Sequence, residues 1–100
     1  MLNTAKLAEA FAADLGTERW MISYDDSIVS VKHLRPTTVV SGIEIGSAIT
    51  LYTISGQFTS KVNCETYDSV KTTISDLVEL AIEHHSLMCR RLSKFSEDLG

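Results

Sequence analysis

The chain has 100 residues, a formal net charge of -4, 44% hydrophobic residues and 22% charged ones. That balance describes one globular domain over 1–100 with a modest core, a size at which oligomerisation adds useful burial. It excludes a general nucleic-acid surface, which needs clustered positive charge, and no stretch approaches the roughly 20 apolar residues of a membrane span.

Asn3 or Thr4 can cap a first helix, since either side chain can accept a backbone N–H of the first turn. Leu7, Ala8, Phe11, Ala12 and Leu15 make its apolar stripe, Lys6, Glu9 and Asp14 face water, and Gly16 suits the position just past its end. From Arg19 the period changes to two. Trp20, Ile22 and Tyr24 alternate with Met21 and Ser23 as a first strand whose aromatics are expected in the core. Asp25-Asp26 reads as a turn and Ser27 to Leu34 as a second strand, with Pro36 interrupting it or marking an edge. The β-branched run Thr37 to Ser41 predicts a third strand. Gly42 and Gly46 flank Ile43-Glu44-Ile45, which reads as a bulge or a bend. Ser47 to Ile54 and Gln57 to Cys64 follow as strands about a tight turn at Ser55-Gly56. In the last of them Phe58, Val62 and Cys64 point one way and Gln57, Thr59, Lys61 and Asn63 the other. One dry face and one wet face is the pattern of an antiparallel sheet covered on one side.

Thr66 to Leu99 predicts a single long helix. Thr66 is the N-cap, Asp68 lies near the positive end of the helix dipole, and no Gly or Pro intervenes before Gly100. Val70, Ile74, Leu77, Ala81, His85, Met88, Leu92, Phe95 and Leu99 recur at steps of three and four, which keeps them on one stripe. The fold class is therefore α+β: an N-terminal helix, a four- or five-stranded antiparallel meander and a long C-terminal helix, with both helices on one face. At about 1.5 Å per residue the last helix would be roughly 50 Å long, whereas strands of five to eight residues span about 17–26 Å. Either it breaks near His84-His85-Ser86 and folds back, or its second half meets another surface. His85, Met88, Cys89, Leu92, Phe95 and Leu99 are the expected dimer or partner interface, and Arg90, Arg91 and Lys94 a patch for an acidic partner.

Chemistry is sparse. Neither GxSxG nor a P-loop is present, and no residue is assigned a catalytic role or a cofactor. Paired carboxylates at Asp25-Asp26 would need a cleft and a raised pKa to act as acid and base, and a turn explains them more simply. His85 and Cys89, four apart and next to His84, have the spacing of two ligands on one ion. A complete site needs two more, for which Cys64, His33 and scattered carboxylates are the only sources, so no metal site is assigned. Cys64 and Cys89 lack framework spacing and read as reduced thiols of a cytoplasmic protein, and the first residues lack the features of a secretory signal.

The bare plan, a small acidic α+β chain with no catalytic motif, is similar to that of many phage-encoded or mobile-element proteins that bind and inhibit a host machine. It implies a non-catalytic inhibitor or adaptor whose partner is another protein, here also a homodimer. The alternative is a small-ligand or metal-binding domain centred on the C-terminal helix.

Overall fold

The computed structural model describes residues 3–34, 40–61 and 65–99, with side chains described for 3–34, 40–61, 65–91 and 94. Helix α1 (Thr4–Leu15) precedes five strands, β1 (Trp20–Tyr24), β2 (Val29–His33), β3 (Val40–Ile45), β4 (Ala48–Thr53) and β5 (Gly56–Lys61), and helix α2 (Tyr67–Leu99) follows. The sheet order is β1-β2-β3-β4-β5 and every pairing is antiparallel, so the sheet is the expected meander with five strands.

The ends of α1 follow from local chemistry. Asn3 Oδ1 accepts from Ala5 N at 2.9 Å, and Gly16 closes the helix at φ 77°, a left-handed conformation that glycine reaches without steric cost. At the start of α2, Thr66 Oγ1 accepts from Ser69 N at 3.2 Å, the capping role expected of it.

Alternation decides which face of the sheet is dry. Val29, Val31, Ile43, Ile45, Ile49 and Leu51 are buried beneath Leu7, Ala8 and Phe11 of α1 and Val70, Leu77 and Ala81 of α2, all in one cluster. Both helices therefore lie on the same face, α1 over β1 and β2 and α2 over β4 and β5. The other face carries Ser30, Lys32, Glu44, Thr50, Tyr52, Gln57, Thr59 and Lys61. There the Tyr52 hydroxyl donates to Glu44 Oε2 at 3.3 Å, and desolvation, then the Glu44 charge and this bond, hold that phenol above its ordinary range.

Three strand-level readings change. Ile43-Glu44-Ile45 is not a bend but the body of β3, and the register shift lies between Val40 and Gly42. Gly46 sits at the β3–β4 turn, where a Cβ would approach Ser27 O at 3.2 Å and Ile28 Cγ1 at 3.3 Å, so the close approach of the Ser27 carbonyl and the Ile28 side chain accounts for this glycine. Tyr24 is 58% exposed at the end of β1, an edge strand. Trp20 does pack on the core, edge-on to the buried His33 ring at a centroid distance of 4.7 Å. Most of the Thr37–Ser41 strand, Pro36, Val62 and Cys64 lie outside the described residues.

Asp25 forms the β1–β2 turn. Its carboxylate accepts from Ser27 N and Ile28 N, both at 2.8 Å, and those bonds hold its pKa below the usual carboxylate range. Its carbonyl receives the Thr4 hydroxyl at 2.7 Å, which ties the start of α1 to this turn. Asp25→Ala should lower the melting temperature by a few degrees, whereas Asp25→Asn, which keeps an acceptor at that position, should recover most of the loss in calorimetry.

Candidate interaction site

The length of α2 creates the site. It runs 33 residues without a break, so His84-Ser86 is not a fold-back point. The molecule measures 53 × 29 × 18 Å, and its radius of gyration is 15.5 Å. A compact chain of this size would have about 13 Å, and the projecting helix supplies the excess. Five- and six-residue strands end long before the helix does.

The burial of the stripe records where the sheet runs out. Val70 and Ala81 are fully buried and Leu77 nearly so, with Ile74 and Val78 packed against the same core. His84 still reaches the sheet, with its ring edge-on to Phe58 at a centroid distance of 5.6 Å. His85 is half-buried, and every described side chain from Ser86 onward is exposed. Met88 lies on the same stripe as Ala81 yet is 36% exposed, and Leu80, Ile82 and Leu87 stand at 50%, 48% and 47%. Arg90, Arg91 and Lys94 are exposed on this segment, while the side chains of Leu92, Phe95 and Leu99 lie outside the described residues.

His85 and Cys89 are brought together: Cys89 Sγ stands 3.6 Å from His85 Nε2. Among the described residues no group of three or more His, Cys, Asp or Glu side chains is placed to hold a metal ion. Among them, too, no helix is long and apolar enough to cross a membrane.

A second feature was not legible in the sequence. Where α1 and α2 converge over β3, the Tyr67 hydroxyl donates to Asp14 Oδ2 and Lys71 Nζ lies 3.3 Å from the same oxygen. The Tyr67 ring also packs edge-on to Phe11 at 5.5 Å. The three polar groups close one end of a groove of about 190 Å³ floored by Ile43 and walled by Leu15 and Ile74. Ligand pockets usually hold about 300–1,000 Å³, so this groove is a seam between helices rather than a binding cavity. The Tyr67 bond and then Lys71 lower the Asp14 pKa, while burial and then Asp14 push Tyr67 up to about 12. The four-residue spacing of Tyr67 and Lys71 puts both on one side of α2, but nothing in the sequence brings Asp14 beside them.

The signs of those shifts set a pH window. Asp14, with its pKa lowered, contributes stability above its unfolded value of 3.8 and loses it as pH falls through the folded value. Tyr67, raised from 10.0, contributes below pH 10 and loses the contribution as pH rises through about 12. The stability difference between the native chain and Tyr67→Phe should therefore be flat from about pH 5 to pH 9 and shrink on both sides, as read from urea melts across pH.

Comparison with protein-family models, curated proteins and solved structures returned no match to this chain.

Proposed function

We propose that this chain is a small non-catalytic protein-binding module, an inhibitor or adaptor, that self-associates through the second half of α2. The projection of that half beyond its own sheet, with Leu87 and Met88 exposed, is the observation that carries the reading. An isolated helix of about 14 residues is marginal in water, so this segment gains by acquiring a partner. The stripe continues in sequence through Leu92, Phe95 and Leu99, and such an apolar run is suited to a second helix. Arg90, Arg91 and Lys94 would then meet acidic groups at the rim, and the polar outer face of the sheet is left for the protein target. In this reading the protein acts in the cytoplasm on a host machine, as phage or mobile-element proteins of this plan do.

Light scattering across a dilution series tests it. The expected result is a mass twice the 11.0 kDa of the chain at high concentration, falling toward the chain mass on dilution. Met88→Glu combined with Leu92→Glu should give the chain mass throughout, with the circular-dichroism spectrum of the folded domain retained. A native chain that is monomeric at every concentration, or a variant that stays fully dimeric, overturns the reading.

A further inference from the structure

We propose that two copies of α2 meet at His85 and Cys89 and hold one zinc ion between them in a His2Cys2 site. The proposal rests on the self-association reading and adds what the contact binds.

The separation of the two ligand atoms is the starting observation. Cys89 Sγ and His85 Nε2 are 3.6 Å apart. Around a tetrahedral zinc, with Zn–S near 2.3 Å and Zn–N near 2.0–2.1 Å, the sulfur-to-nitrogen edge is about 3.5–3.6 Å. The pair already stands at the bite one ion requires, because four residues make one helical turn and bring both side chains to the same side.

A single chain offers half of such a site. Among its described residues there is no cluster of three or more possible ligands. A two-fold axis passing beside His85 and Cys89 turns two ligands into four, the number a closed zinc site needs. A second copy fits this position better than an unrelated partner, because symmetry supplies the missing ligands from residues already on the page. Ile82, His85 and Cys89 follow one another at steps of three and four along one ridge of α2, so a helix that covered the metal would also cover Ile82, now 48% exposed.

Charge favours the same outcome. Two thiolates, two neutral imidazoles and Zn2+ sum to zero, so the filled site can sit within an apolar contact without leaving an uncompensated charge. Binding is an exchange of ligands with no oxidation. Each Cys89 thiol gives its proton to solvent, each sulfur and each Nε2 forms one bond to zinc, and water leaves the ion.

The test uses the full chain, stripped of metal and kept reduced with a phosphine, titrated with zinc chloride and separately with cobalt chloride. Uptake should stop at one ion per two chains, and self-association measured by light scattering should tighten on the order of a hundredfold. Cobalt should develop the visible bands of a tetrahedral ion and a thiolate-to-cobalt band in the near ultraviolet. Cys89→Ser should lose the thiolate band and the metal-dependent tightening, His85→Ala should lose the tightening, and both should keep the circular-dichroism spectrum of the folded domain. Dimers that form equally with and without zinc, with no stoichiometric uptake, overturn the metal site and leave self-association standing. One ion per chain with no change in mass also overturns the site. The chain mass at every concentration, with and without zinc, overturns both.

Discussion

Leu51→Ala should lower the melting temperature by on the order of 15–20 °C, a large effect for a single side-chain truncation. Leu51 is fully buried on β4, with Ile43 of β3 and Phe58 of β5 as its register partners. Above it lies α2, so the side chain is enclosed by two neighbouring strands and a helix that are themselves tied down. A site enclosed in that way collapses poorly, and Leu→Ala in such surroundings costs about 3–4 kcal/mol, within the range for buried leucines. Each kcal/mol corresponds to about 4–8 °C for a domain near this size, and total stability for small domains runs to only about 5–15 kcal/mol. Ile54→Ala is the matched comparison. It removes a side chain of the same volume from the β4–β5 turn, where it is 69% exposed, and should leave the melting temperature nearly unchanged. Calorimetry on both variants decides the matter, and equal losses would contradict the assigned core.

Removing residues 87–100 should separate folding from association. The part of α2 that closes the core ends with Ala81, and His84 makes the last ring contact with the sheet. From Ser86 onward every described side chain is exposed. The shortened chain should therefore keep the native sheet and both helix caps, and unfold cooperatively at a melting temperature that no longer depends on concentration. Its mass should equal that of one chain at every dilution. Loss of the folded domain would mean that the distal half of α2 contributes to the core of its own chain. Persistence of the dimer would move the contact to another surface, such as the edge of β1 or β5.

Much of this architecture was legible because it is set by local chemistry. Asn3, Gly16 and Thr66 mark helix ends through caps that involve a few adjacent residues. Period-two alternation located β1, β2 and β5, the strand-like run Ser47 to Ile54 located β4, and short connections implied the meander. The overreach of α2 followed from counting residues against strand lengths. Where the reading departed from the structure, the deciding interaction was distant or depended on an edge. Gly42 and Gly46 looked like brackets around a bend, but the Gly46 constraint comes from the Ser27 carbonyl and the Ile28 side chain that pass beside it. Tyr24 carries the same alternation as Trp20, yet only Trp20 packs on the core, and periodicity does not say which part of an edge strand is covered. The Asp14–Tyr67–Lys71 junction joins residues 53 positions apart, and no local pattern reports such a meeting. At the candidate site, the spacing of His85 and Cys89 was plain in sequence. Their 3.6 Å separation, and the withdrawal of the sheet beside them, required coordinates.

The meander also has a kinetic consequence. Each strand pairs with its immediate neighbour in the chain, so every sheet ladder closes across a short connection and at a small entropic cost. β1 can pair with β2 before β5 exists, and the sheet can grow strand by strand in the order in which a ribosome delivers it. The one closure across the length of the chain is the docking of α2 beside α1, sealed where Tyr67 meets Asp14. Until that happens the dry face over β4 and β5 stays open to water. The interval in which the protein is most prone to stick to its neighbours is thus the time taken to synthesise and dock its last helix.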